Sequence, residues 1–366
     1  MATSRGFFDA DGHVYELEYQ IIEYLDPPFR GRKELLRQPL INSGDGWHRI
    51  ALGVGRGQGG VTGGEITAQT WIDALDQVGL DGTVLHPTLA LNIGQVRDPE
   101  WAAVVARGYN NWLYDKYLNV SPRLNGLAVL PVQNPAEAVK ELKRAVKELH
   151  MVGAIMPAAG VNRLLGDPSY YPIYEAAQEL DVALSVHTGG VPQLDMRFFD
   201  RLIDVRCLQH PIGQLHQMVN MMFSGVFDRF PTLRMAFLES GSAWVLCALE
   251  RMQREHEHWA VLLSDLKKPP KEHLKSGRLY FEAELEDELL PYTVQLLGDR
   301  AFVFASDFPH FTRADHISEG IKRFQDRRDL SDETKRLILG DNARRLYKIE
   351  SSDFRLANRR GAEGAE

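Results

Sequence analysis

The sequence predicts an α/β fold of the (β/α)8 kind, a TIM-like barrel with a loop insertion after its first strand. Three observations predict it. Eight short apolar segments recur along the 366 residues. Segments with helical spacing alternate with them. Residues able to bind a metal or move a proton sit at the C-terminal ends of four of the eight. Continuous apolar strands alternating with amphipathic helices imply a parallel sheet covered by helices, and in a barrel the C-terminal strand ends form the active face. A doubly wound open sheet shares the alternation and is the alternative, because strand number alone does not close a barrel.

The first strand is Phe7-Phe8-Asp9-Ala10-Asp11-Gly12-His13. Side chains alternate along a strand, so Asp9, Asp11 and His13 project to one side. Two carboxylates and an imidazole are costly to bury together unless a cation sits among them. Mixed oxygen and nitrogen donors suit Zn, Mn or Fe; the alternative is a solvated polar turn. Further strands are expected at 82–86, 124–130, 153–156, 182–187, 234–239, 279–283 and 301–307. Helices are expected at 71–79, 99–118, 135–149, 169–180, 210–229, 242–263, 286–297 and 331–347. The third of these opens on Pro135, with proline in the first turn and apolar residues at helical spacing after it.

Residues 24–70 break the alternation. They carry Asp26-Pro27-Pro28 and a glycine-rich run over 53–64, with no core-forming pattern. They read either as a lid over the barrel mouth or as a surface loop without a role. Gly55 to Gly60 formally matches G-x-G-x-x-G, but no strand leads into it and no helix opens from it, so the dinucleotide reading fails. The chain reads as one domain over 1–350 with a charged tail at 351–366.

Composition excludes several classes. The hydrophobic share is 44%, the charged share 25% and the net charge −8, which argues against nucleic acid or an anionic membrane surface as partner. Two cysteines, Cys207 and Cys247, build neither a disulfide framework nor a thiolate zinc site, as in a reducing compartment. No apolar run approaches the roughly 18 residues of a spanning helix, and the N-terminus has no apolar leader core. The expected setting is cytoplasmic.

The chemistry-bearing residues fall at strand ends: Asp11 and His13 on strand one, His187 on strand five, Glu239 on strand six, Asp307 on strand eight. A barrel brings these to one mouth, where several protein ligands and an open position lower the pKa of bound water. The run Asp9-x-Asp11-x-His13, His187 after an apolar strand, and Ser306-Asp307-Phe308-Pro309-His310 resemble the amidohydrolase superfamily. The closest likeness is to its amidohydrolase-related (amidohydrolase 2) branch, which includes metal-dependent hydrolases and non-oxidative decarboxylases. The stretch from Phe223 to Trp244, with its Gly225-Val226-Phe227 and Arg229-Phe230-Pro231 turn before strand six, resembles that branch too. The likeness spans residues 7–347.

The resemblance implies a cation held by Asp11, His13, His187 and Asp307. Strand six supplies a further histidine in much of the superfamily; here Glu239 stands there, as an extra ligand bridging to a second ion or as a proton shuttle. Strand four offers no lysine for a carboxylated bridge. One or two divalent ions are implied, zinc first, then manganese or iron. Asp307 is the expected general base, working by short-range transfer from metal-bound water. His310 either orients Asp307, donates to a leaving group, or is a loop histidine on the rim. Arg56 and Arg163 are candidates for clamping a substrate carboxylate, and His86 and His216 for lining the pocket. Of His210 and His216, His216 is favoured for the mouth. The leading activity is hydrolysis of a small organic acid derivative (ester, amide, thioester or C–C bond) by metal-activated water. The alternative is non-oxidative decarboxylation of an aromatic or unsaturated carboxylic acid, and a third reading is a non-catalytic barrel. Glu239 tilts the expectation toward hydrolysis. The resemblance also implies a homodimer paired through outer helices.

Overall fold

Eight parallel strands follow one another in sequence order around one sheet. The structure is a computed structural model and describes residues 6–41, 65–189, 199–310 and 312–350. The strands are β1 (Phe7–His13), β2 (Leu80–His86), β3 (Leu124–Ala128), β4 (Gly153–Pro157), β5 (Ala183–His187), β6 (Arg234–Phe237), β7 (Leu279–Ala283) and β8 (Phe302–Phe304). Each pairs in parallel with the next, from Phe8 opposite Gly82 to Ala283 opposite Phe304. The seam between β8 and β1 is joined at its C-terminal end by two backbone bonds, Asp307 N–H to Asp11 O (3.1 Å) and His13 N–H to Phe308 O (2.7 Å). The (β/α)8 barrel expected from sequence is the fold.

The surrounding helices are α1 (Ala68–Val78), α2 (Pro99–Leu113), α3 (Pro135–Glu148), α4 (Tyr171–Leu180), α5 (Leu202–Phe223), α6 (Ala243–Trp259), α7 (Leu290–Leu297) and α8 (Ala314–Asp326). Their starts follow local chemistry. Thr67 closes a capping box on α1, while Asp98 and Asn134 accept from first-turn amides, each just before a proline. Trp71, Tyr109, Trp112 and Phe281 fill the layer between sheet and helices. Inside the barrel, Phe8, Val84, Leu127, Ile155, Leu238, Tyr280 and Val303 pack with Ala343, Leu346 and Tyr347. Those last three lie on a helix, Asn342–Tyr347, whose Tyr347 hydroxyl donates to Ala10 O at 3.2 Å. It closes the barrel floor, so open space for chemistry remains at the opposite mouth.

Two helix expectations are corrected. The eighth barrel helix is α8, not the 331–347 segment, which instead forms the floor. Its burial of Ile317, Gly320, Ile321 and Phe324 is the ordinary helical stripe. Helix α5 begins at Leu202, eight residues before the expected start, because Pro211 lies inside it rather than at its beginning. The described part of the 24–70 insertion turns through Ile22–Tyr24 and Lys33–Arg37 and packs against α2, with Trp101 Nε1 donating to Leu40 O at 3.2 Å. The glycine-rich run 53–64, with Arg56, and the tail 351–366 lie outside the described residues. Among the described residues no helix is long and apolar enough to cross a membrane.

Candidate metal centre and active site

The site is built from the end of β1. Gly12 is obligatory there: a Cβ would lie 2.2 Å from the Trp71 ring and 2.7 Å from Thr83 Oγ1. Trp71 uses that closeness to donate from Nε1 to His13 O at 3.0 Å. The expected common side for Asp9, Asp11 and His13 holds only in part. Asp9 is turned into the wall and spends its oxygens on Thr83 and Ser306, leaving Asp11 and His13 at the mouth. The pairing of β1 with β2 shifts register between Asp9 and Gly12, which breaks strict alternation.

His13 donates from Nδ1 to Pro87 O (2.8 Å) and His187 from Nδ1 to Thr188 O (3.1 Å). In the neutral rings these bonds leave both Nε2 atoms as free lone pairs. The two nitrogens converge on Asp11: His13 Nε2 lies 3.3 Å from Oδ1 and His187 Nε2 lies 3.2 Å from Oδ2. Asp11 Oδ1, His13 Nε2 and His187 Nε2 are all buried without a hydrogen-bond partner. Leaving three such atoms unsatisfied costs about 1–3 kcal/mol each, so their convergence calls for a cation. Ligand atoms of Asp11, His13 and His187 lie within 4.8 Å of one another, as do those of His13, Asp307 and His310. Neighbouring separations of 3.2–3.4 Å match adjacent ligands around an ion with bonds of about 2.0–2.2 Å. The donor set fits a divalent cation with mixed oxygen and nitrogen ligands.

Charge follows the same geometry. Burial pushes Asp11 up, but the imidazoles of His86, His187 and His13 outweigh it and hold the carboxyl well below its usual range. Burial opposes protonation of His187 too, yet Asp11 and then Glu239 raise it to about 9. Glu239 is raised to about 7 by burial and by the Asp307 charge; its Oε2 lies 3.3 Å from His187 Nε2 and 3.4 Å from His210 Nδ1. Glu239 and Asp307 both have left-handed backbones, φ 59° and 50°. Such strain in non-glycine residues is found where surrounding structure forces it, as at functional sites. His310 donates from Nε2 to Thr88 Oγ1 (2.7 Å), whose own proton goes to Val14 O (2.7 Å). Its Nδ1 lies 2.8 Å from Asp307 Oδ1, and Asp307 overcomes burial to raise its pKa. His310 is therefore tied to Asp307 and Thr88, not a free rim residue.

A cavity of about 500 Å³ opens beside this cluster between α5 and α8, lined by Glu239, Asp307, Ser306, Glu282, His210 and Arg206 among others. Other expected residues fall elsewhere. His86 is fully buried: its Nδ1 proton points at Val84 O (3.2 Å) with Asp11 Oδ1 at 2.9 Å, and its Nε2 meets Ser185 Oγ. It backs the Asp11 carboxylate and does not line the cavity. Arg163 is exposed, paired with Asp167 at 3.0 Å and away from the cavity wall. His216 is exposed, and His210 reaches the mouth instead. The inward face of α5 runs through His210, Gln214 and Gln217, and Gln214 donates to Val186 O and Leu238 O. Six residues on from His210, at 100° per residue, His216 faces outward.

The amidohydrolase family model (Amidohydro_2) matches residues 67–349. The chain belongs to this family. It is 25% identical over 306 residues to a 2-amino-3-carboxymuconate-6-semialdehyde decarboxylase of Dictyostelium discoideum, covering 79% of this chain and 80% of the relative. It is 25% identical over 289 residues to a gamma-resorcylate decarboxylase of Polaromonas sp. strain JS666, covering 75% and 85%. Its fold superposes on a crystal structure of a dihydroxybenzoic acid decarboxylase from Polaromonas sp. JS666 with bound manganese and 2-nitroresorcinol. The TM-score is 0.70 at 20% identity, covering 95% of this chain and 99% of that one. Membership in the family supports an enzyme, and the relatives favour the decarboxylase alternative over the hydrolytic expectation.

Sequence reasoning missed Glu282, Arg206 and the role of His210. Glu282 is 6% exposed and accepts from Ser240 N–H at 3.0 Å; burial and then Glu284 raise its pKa well above the usual range. A carboxylate inside the apolar run of β7 was the available signal. Arg206 lies on the turn of α5 just before His210, within the part of that helix that Pro211 hid.

Proposed function

We propose that this protein is a metal-dependent non-oxidative decarboxylase of a small aromatic carboxylic acid. The observation that carries the reading is Asp307. Its carboxylate lies 3.4 Å from His13 Nε2, is held by His310 and forms part of the cavity wall, so it borders both the cation cluster and the substrate space. The decarboxylase relatives support this choice of reaction. Asp11, His13, His187 and Asp307 would hold the ion, with Glu239 at its edge. When bound, the ion would supply positive charge that offsets the negative charge of the substrate and orients it. The manganese in the Polaromonas neighbour favours Mn2+ over zinc.

The chain's own residues do the rest. Asp307 relays a proton drawn from solvent to the ring carbon as the C–C bond to the carboxylate breaks; that bond's electron pair stays on the ring carbon and takes the proton, and carbon dioxide leaves. His310 fixes the carboxylate that makes the transfer. Glu239 and Glu282, pushed toward their protonated forms by burial, offer hydrogen bonds to ring substituents without adding full negative charge beside Asp307. The test is carbon dioxide release from a panel of hydroxybenzoates after Mn2+ loading. Metal-dependent release with formation of the parent phenol supports the reading. Cleavage of esters or lactones with no carbon dioxide from any acid overturns it in favour of hydrolysis.

A further inference from the structure

Asp9 is fully buried at the seam between β8 and β1, and the proposed reaction gives it no task. Its carboxylate nevertheless takes four donors. Oδ1 accepts from Ser306 N–H (2.8 Å) and Asp11 N–H (3.2 Å); Oδ2 accepts from Ser306 Oγ (2.8 Å) and Thr83 Oγ1 (2.8 Å). Both oxygens are used, so Asp9 has no free pair for a cation. Ser306 in turn accepts from Phe308 N–H at 3.1 Å, which shapes the turn that carries Asp307. One side chain therefore ties β1, β2 and the segment after β8 together, just below the two backbone bonds that join Asp307 with Asp11 and Phe308 with His13.

We propose that Asp9 is a positioning residue that sets the spacing of the metal centre. The proposal rests on the metal-centre reading above. Asp11 and His13 stand on one side of the seam and Asp307 on the other, so the 3.4 Å between His13 Nε2 and Asp307 Oδ1 depends on how the seam closes. Asp9 closes it with an acceptor-only group. An asparagine has one carbonyl oxygen and an NH2, which turns a donor toward the Ser306 and Thr83 donors.

The test uses Asp9→Asn, Ser306→Ala and Thr83→Val, each read by Mn2+ affinity, by the visible spectrum of the Co2+ form and by thermal unfolding of the metal-free protein. Asp9→Asn and Ser306→Ala are expected to weaken Mn2+ binding about 10-fold to 100-fold and to shift the Co2+ bands, as loss of partners behind metal ligands does. Thr83→Val removes one donor from Asp9 Oδ2 on the β2 side and leaves both Ser306 bonds across the β8–β1 seam in place; it is expected to lower thermal stability while holding Mn2+ affinity within about twofold. Should Asp9→Asn fail to fold, the contrast between Ser306→Ala and Thr83→Val decides the matter alone. The clasp is overturned if Ser306→Ala keeps parental affinity and spectrum, or if all variants lose affinity only in step with stability. A parent that binds neither ion overturns the metal-centre reading and the clasp with it. A parent that binds both, with unaffected seam variants, overturns the clasp alone.

Discussion

Replacing Glu239 by glutamine separates what the site costs the fold from what it does. Glu239 is raised from 4.5 to about 7 by burial and by Asp307, and its side chain is only 17% exposed. A folded pKa above the unfolded one means that the folded state holds its proton more tightly. The group's destabilising effect is therefore full above pH 7 and fades as pH falls through 7 toward 4.5. A carboxyl moved from 4.5 to about 7 sets a ceiling of about 3 kcal/mol at pH 8, falling below about 1 kcal/mol at pH 5. Glutamine is still a polar side chain that loses hydration on burial, so the expected net gain for the metal-free protein at pH 8 is about 1–2 kcal/mol. Urea unfolding of chelator-treated parent and Glu239→Gln at both pH values measures it, alongside carbon dioxide release by the loaded forms. The expected outcome is a variant more stable at pH 8, with little gain at pH 5 and much reduced turnover. A variant less stable at pH 8, or equally shifted at both, would refute the electrostatic account of the site.

Four further outcomes are expected. Asp307→Asn lowers turnover about 10²-fold to 10⁴-fold, the usual worth of a positioned proton donor, while the fold by circular dichroism is unchanged. Mn2+ at 100 times its dissociation constant raises the unfolding free energy by about 2.7 kcal/mol, and chelation removes that gain. Mn2+ affinity rises with pH, because the cation displaces the proton that Asp11 and Glu239 hold on His187 up to about 9. One released proton gives about tenfold per unit between pH 6 and 8, read by calorimetry, and a flat profile would contradict the His187 assignment. Gly12→Ala forces a Cβ against Trp71 and is expected to cost about 1–3 kcal/mol in urea unfolding.

Much of the site was legible because strand ends in a barrel share one mouth. Asp11, His13, His187, Glu239 and Asp307 each end or closely follow an apolar run, and the structure brings them together. Residues on loops and helices were harder. His86 ends β2 with the same signature as the others, but whether it faces the cavity or backs Asp11 depends on barrel curvature, which a local pattern does not carry. Pro211 inside α5 disguises where that helix starts and so its phase, which is why the pattern favours His216 over His210. Asp9 follows the strand alternation that marks Asp11 and His13, and only the three-dimensional seam turns it toward Ser306. Hydrolysis and decarboxylation share the same ion-binding residues, so a glutamate at 239 does not separate them; the decarboxylase relatives do.

Anomalous diffraction from a crystal soaked in Mn2+ locates the ion outright. One strong peak is expected within about 2.0–2.3 Å of His13 Nε2, His187 Nε2 and an Asp11 oxygen, with Asp307 at its edge. A peak elsewhere in the barrel, or none at saturating Mn2+, would contradict this placement.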